Sequence, residues 1–186
     1  SSLNPPEPIP VVEAENLLGH DRENVLLEEV IARYEQAAHH ANVVIVEGLM
    51  DTEEQSYGTH LNAKMAQSLD AKIVIVTAPG RDTPRQVADT VEVVARAYGG
   101  VRHERMLGCI INLLDAPVDQ TGHIRFDFSR AENGYHPGHE AEFRAECARH
   151  WPETFKLLGC IPWERELIAP RVRDIMQMIG AQILNE

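Results

Sequence analysis

Four places in this chain carry residues where an open α/β sheet does its chemistry. Glu47-Gly48, Thr77 to Gly80, Asn112 and Pro162-Trp163 each follow directly on an aliphatic run. If those runs are parallel strands, these residues stand at the carboxyl ends, where ligands bind. A carboxylate so placed, Glu47, has the chemistry to hold Mg²⁺ beside phosphates. Its plainer role is a hydrogen bond to a loop or a helix N-terminus.

Phosphate binding has a stricter requirement. A P-loop needs Gly directly before its Lys, so that backbone amides and the ammonium converge on the phosphates. Lys64 follows Ala63, Lys72 follows Ala71 and Lys156 follows Phe155, and no three glycines fall in G-x-G-x-x-G spacing. No Walker A sequence and no dinucleotide fingerprint is written in these residues. His136, His139, Cys147 and His150 have inner spacings that zinc sites use, yet such sites favour more thiolates, so no metal is assigned. There is no G-x-S-x-G elbow, and Cys109 and Cys160 sit in apolar runs as inert core residues. His39-His40 ends a helix pattern and suits its dipole. Arg81 to Arg85 opens another, where such residues cap and solvate. No catalytic cluster is assigned.

The elements that would position these residues alternate in period. Asp21 is the expected N-cap of a helix carrying Leu27, Val30, Ile31 and Tyr34 to about Ala41. Val43 to Val46 then reads as a strand buried on both faces. Leu61, Met65 and Leu69 mark a helix, and Ile73 to Val76 a second buried strand. Pro84 begins a helix with Val87, Val91, Val94 and Tyr98 that ends at Gly99-Gly100. Met106 to Ile111 is a third strand. Turn signals at Pro117, Gly122, Asn133-Gly134 and Pro137-Gly138 make residues 115–151 a loop-rich excursion, with one short helix carrying Phe143, Cys147 and Trp151. Leu157 to Ile161 is a fourth strand. Val172, Ile175, Met176 and Ile179 give a helix face, and a last strand is expected near Gln182 to Leu184. Residues 1–20, with Pro5, Pro6, Pro8 and Pro10, read as an extended lead-in to one α/β domain over 21–186. With no initiator methionine at its start, the sequence is expected to be a cut piece of a longer chain. The expected fold is a Rossmann-like, three-layer, doubly wound and mostly parallel sheet.

Composition sets the outer limits. With 186 residues, 44% hydrophobic and 25% charged, the chain has the proportions of a packed globular domain. The net charge of −12, with Lys64, Lys72 and Lys156 its only lysines, repels phosphate backbones and anionic lipid. No nucleic-acid or membrane partner is expected. Three cysteines, an odd number, argue against a disulfide framework and for a reducing cytoplasm. No apolar stretch approaches the roughly 18 residues of a membrane span.

Asp21 to Ile31 followed by Val43 to Leu49 resembles the amino-terminal domain of long-form bacterial phosphate acetyltransferases. So do Asn62-Ala63-Lys64-Met65-Ala66, Asp82-Thr83-Pro84, Leu107 to Asn112, Asp115 to Asp119, Leu158 to Trp163 and the closing Ile183 to Glu186, all in order. The resemblance covers nearly the whole chain outside 128–151. It implies a fold of the P-loop NTPase type, similar to dethiobiotin synthetase and the cobyrinic acid amide synthases. The family's P-loop strand is expected to precede Ser1 and so to be absent here. It also implies a non-catalytic regulatory and assembly domain, whose parent enzyme converts acetyl-CoA plus phosphate to acetyl phosphate plus CoA in a separate carboxyl-terminal domain. By the same likeness Glu47 lies near a magnesium position and Asn112 and Pro162 on the side where adenine sits, and these with Gly48 are expected to form a vestigial pocket with no cofactor retained. A small-molecule effector is an expected partner. The unpaired edge left by a missing strand predicts a homo-oligomer. The alternatives are an ATP-dependent ligase of the dethiobiotin synthetase or cobyrinic acid a,c-diamide synthase type, and a pure oligomerisation domain.

Overall fold

A computed structural model of the chain describes residues 6–39, 41–49, 58–119 and 136–164. Among these the elements run α1 (Val11–Gly19), α2 (Glu23–Ala38), α3 (Gly58–Ser68), β1 (Ile73–Thr77), α4 (Pro84–Ala95), β2 (Met106–Leu114), α5 (Pro137–His150) and β3 (Lys156–Pro162). The strands form a parallel sheet in the order β1-β2-β3. This is the parallel α/β architecture that the alternating periods predict.

Local chemistry sets the elements around the sheet. Helix α4 starts in a capping box, with the Gln86 N–H donating to Thr83 Oγ1 at 3.3 Å and the Thr83 N–H to Gln86 Oε1 at 2.9 Å. Pro84 fills the first helical position, where its missing N–H costs nothing. Val87, Ala88, Val91 and Ala95 form its buried face. After a 3₁₀ turn at Arg96–Tyr98 the chain reverses at Gly99, whose φ of 96° only glycine adopts freely. Thr83→Ala should destabilise the protein by about 1 kcal/mol, read as a lower midpoint with an unchanged slope in urea unfolding.

The main core lies between one face of the sheet and helices α4 and α5. Ile75, Cys109, Ile111 and Leu157 face Val87, Val91, Phe143 and Phe155 there, all buried. The Trp151 indole N–H donates to the Ala88 carbonyl at 3.4 Å and ties the end of α5 to α4. A second, smaller cluster centred on Leu26, Leu61 and Met65 joins α2 and α3, with Leu17 and Leu18 of α1 packed against it. Lys64 of α3 is paired with Glu23 of α2 at 2.6 Å.

Several expectations are corrected. Val43 to Val46 forms no strand; Val43 is 77% and Ile45 91% exposed. Aliphatic residues alone do not make a strand, because its amides and carbonyls need a neighbour, and β1 pairs only with β2 among the described residues. Strand β1 is buried on one face rather than two, with Ile75 inside and Val76 60% exposed. The crossovers from β1 to β2 and from β2 to β3 advance in the same direction, and the right-handed rule sends α4 and α5 to the same side. The extended lead-in gives way to helix α1 at Val11. Asp21 does not cap α2: it has φ of +56°, and Arg22 occupies the cap position without a side-chain hydrogen bond. The excursion at 115–151 contains a helix of 14 residues, α5, longer than turn signals alone suggest. The helix face at 172–179 and the strand at 182–184 lie outside the described residues.

Candidate functional site

The carboxyl ends of β2 and β3 lie side by side. Leu114 is in register with Pro162, and the Trp163 N–H donates to the Leu114 carbonyl at 2.8 Å, one step beyond the last paired residue. Asn112 and Pro162, both singled out in sequence, therefore lie near one another on neighbouring strands, although β2 runs on past Ile111 to Leu114, so that Asn112 is inside the strand and Pro162 ends β3. Asn112 turns its side chain on its own backbone, Oδ1 accepting from the Leu113 N–H at 2.9 Å. Leu113 and Asp115 have φ of +57° and +63°, a left-handed bend that non-glycine residues rarely hold. Trp163 is 2% exposed, and its indole N–H has no hydrogen-bond partner.

Glu47 and Gly48 are held by different means. They leave the unpaired segment that begins at Val43, and the side chain of Asn62 on α3 clamps the next residue. Asn62 Oδ1 accepts from the Leu49 N–H at 2.8 Å, and Nδ2 donates to the Leu49 carbonyl at 2.7 Å. One amide side chain thus takes the place of a neighbouring strand. Gly48 lies against it so closely that an added Cβ would stand 3.1 Å from three atoms of the Asn62 amide. Glu47 itself is exposed. The position of the Glu47–Gly48 pair depends on Asn62, a residue that composition and periodicity do not mark.

A second grouping missed in sequence joins the end of β2 to the start of α5. Asp115, whose side chain is 10% exposed, accepts from the His136 N–H through Oδ2 at 2.8 Å and meets His139 Nδ1 through Oδ1 at 2.6 Å. A carboxylate beside the first turn of a helix is also favoured by the helix dipole. The Asp115 hydrogen bond raises the His139 pKa above the ordinary histidine value; desolvation opposes it, and the negative charges of Asp115 and Glu142 add to the rise. The arrangement fixes the ring and leaves Nε2 for another partner. An Asp–His pair alone is an orienting device and not a nucleophile. Twenty-four residues separate the partners, so no local motif marks them.

The sign of the pH dependence follows from the raised pKa. The protonated His139–Asp115 pair contributes stability below the ordinary histidine value, and that contribution is lost as pH rises through the folded pKa. Because the ring is 49% exposed, solvent screening keeps the effect below about 1 kcal/mol. The NMR titration midpoint of His139 should fall on Asp115→Asn.

The four candidate zinc ligands do not converge. The His136 and His139 rings meet edge to face at 5.2 Å at the start of α5. Cys147 and His150 lie in its later turns, His150 paired with Glu146 at 2.8 Å. Among the described residues no group of three or more His, Cys, Asp or Glu side chains is arranged to hold a metal ion. Burial pushes the Cys109 and Cys147 thiols up to about 12 and raises Cys160 as well, so all three are poor nucleophiles at neutral pH.

The parallel α/β fold agrees with the comparison to known families. A match to the AAA domain family spans residues 3–171, and the chain belongs to that family. Its relatives then narrow the group. Phosphate acetyltransferase of Haemophilus influenzae is 37% identical over 186 residues, all of this chain and 26% of the relative. That of Pseudomonas aeruginosa is 37% identical over 98% of this chain and 25% of the relative. That of Escherichia coli is 34% identical over all of this chain and 26% of the relative. The chain spans about a quarter of the length of these relatives, and the resemblance drawn from the motifs is borne out. No helix among the described residues is long and apolar enough to cross a membrane.

Proposed function

We propose that this chain is the amino-terminal regulatory and assembly domain of a cytoplasmic phosphate acetyltransferase and performs no acyl transfer itself. The parent protein would interconvert acetyl-CoA plus phosphate with acetyl phosphate plus CoA in a carboxyl-terminal domain of the same polypeptide. The observation that carries this reading is the pattern of coverage: relatives named for that activity match essentially all of this chain with only about a quarter of their own length. The local chemistry supports it. Asn112 caps its own backbone, Asn62 is spent on Leu49, and the thiols of Cys109 and Cys147 are buried.

Glu47, Gly48, Asn112 and Pro162 are then the remnant of a nucleotide pocket, a setting for a small-molecule effector rather than for a reaction. Among the described residues β1 has no partner on its outer edge, and Val74 and Val76 are exposed; this supports assembly into a homo-oligomer. The experiment compares the parent enzyme with a version lacking residues 1–186. The expected result is retained acetyl transfer with altered subunit assembly by light scattering and a lost effector response. Thioester formation by the 186-residue chain above the buffer rate would overturn the reading. Calorimetry with magnesium ATP separates it from the ATP-dependent ligase: micromolar binding lost on Glu47→Ala would favour the ligase.

A further inference from the structure

The sheet has two unlike faces. Ile73, Ile75, Cys109, Ile111 and Cys160 belong to or pack against the core under α4 and α5. Side chains alternate along a strand, so Val74 and Val76 of β1, Ile110 of β2 and Ile161 of β3 stand on the other face. Val74, Val76 and Ile161 are exposed and Ile110 is half-buried. Val76 is in register with Ile110, and Ile161 follows Cys160, which is in register with Ile111. The four therefore form one aliphatic band from the carboxyl end of β3 across β2 to β1. Among the described residues, α4 and α5 cover only the opposite face, and α1, α2 and α3 pack on one another. Parallel sheets are covered on both faces, because aliphatic rows left in water forfeit the burial that stabilises them.

We propose that the segment 171–180 of the same chain is the cover, with Val172, Ile175, Met176 and Ile179 against this band. Those four recur at the spacing of one helix face, and Arg173, Asp174 and Gln177 fall on the opposite side, the pattern of a helix with one face to bury. The connection is long enough. Strand β3 ends at Pro162, and residues 165–170 separate the described chain from the segment, a reach of about 20 Å. The other face is already filled by α4 and α5, with Phe143, Trp151 and Phe155 buried there. Under the right-handed rule a helix that enters the open face after β3 heads back toward β1, because the crossovers advancing from β1 to β3 put α4 and α5 on the far side. Residues 172–179 as a helix span about 12 Å, and strands stand about 5 Å apart, so the segment reaches from Ile161 over Ile110 to the valines of β1. Residues 50–57 and 120–135 suit the face less. The first are polar apart from Met50 and Tyr57, and in the second Ile124, Phe126 and Phe128 alternate with Arg125 and Asp127 at the period of a strand. The cover leaves the outer edge of β1 free for assembly.

The test is paramagnetic broadening in the NMR spectrum of the 186-residue chain with a nitroxide on Gln177→Cys, on the polar side of the segment. Mass spectrometry checks that each chain carries a single label, as the burial of Cys109 and Cys147 favours. The amides of 74–76 and 110 should be broadened at least twofold more than those of 144–149 on α5, across the sheet. Met176→Asp and Val76→Asp should each abolish that difference while the amide pattern of α4 and α5 stays in place. Val76→Asp is the sharper of the two, because a charge at an exposed position costs nothing unless the position is covered. Equal broadening on both sides of the sheet, stronger broadening on α4 and α5, or a difference that survives both substitutions would overturn the proposal. Isotope-labelled chains without nitroxide, mixed with nitroxide-bearing chains without isotope, should show much weaker broadening at 74–76. Broadening as strong there as within one chain would also overturn it, by assigning the cover to a second copy. Because the readout is the position of one segment, its failure leaves the acetyl-transfer comparison of the parent enzyme untouched.

Discussion

Gly108→Ala is expected to destabilise the protein by about 2–6 kcal/mol, the sum of overpacking and backbone strain. Gly108 sits in the central strand with φ of +156°, a conformation that L side chains rarely adopt. A Cβ there would stand 2.2 Å from the Lys156 carbonyl oxygen and 2.8 Å from Leu158 Cγ. The leucine can rotate away, but the carbonyl belongs to the neighbouring strand and moves only if β2 and β3 separate. Those strands carry Asn112 and Pro162 side by side, so the same substitution should disturb the amides of 112–115 and 162–164. Gly159→Ala is the control, because a Cβ at Gly159 meets nothing within 4 Å and no positive φ is involved. Urea unfolding of the two variants should differ by at least about 2 kcal/mol. Equal stabilities would mean that the close approach of β2 to β3 at Gly108 is not a feature of the folded protein.

The same strands mark how far the sequence is legible. Met106 to Ile111 and Leu157 to Ile161 are uninterrupted apolar runs in the middle and at one edge of a parallel sheet, and both appear as strands in the expected order. Pro84, Val87, Val91 and Gly99 carry start, face and stop signals that α4 and its 3₁₀ turn follow, whereas Val94, expected on the same face, is 40% exposed and Ala88 and Ala95 complete the buried face instead. Val43 to Val46 looks the same in sequence and is not a strand. Pairing is a property of two segments, and residue type reports on only one. The site divides in a similar way. Asn112 and Pro162 could be found because they follow apolar runs directly. Asn62 and the Asp115–His139 pair act across 13 and 24 residues, through contacts that exist only after folding. No spacing rule encodes them.

Phe155→Ala is expected to be as damaging, at about 3–5 kcal/mol. Phe155 is 1% exposed at the turn that leads from α5 into β3, and its ring meets Trp151 edge to face. Removing it leaves a cavity that α5 cannot close, because the end of that helix is tied to α4 through the Trp151 N–H and the Ala88 carbonyl. Leu158, three residues on and 47% exposed, is the contrast: truncating it to Ala removes little buried contact and should cost less than about 1 kcal/mol. A second measurement separates loss of local packing from a uniform loss of stability. Cys147, 1% exposed, lines the same cleft as Phe155, whereas Cys109, fully buried under the sheet's covered face, does not. Under native conditions Phe155→Ala should speed thiol labelling of Cys147 far more than that of Cys109, through local opening at the α5–β3 turn. Equal acceleration at both cysteines would mean instead that the core between sheet and helices opens as one unit, with Phe155 holding all of it and not only the turn.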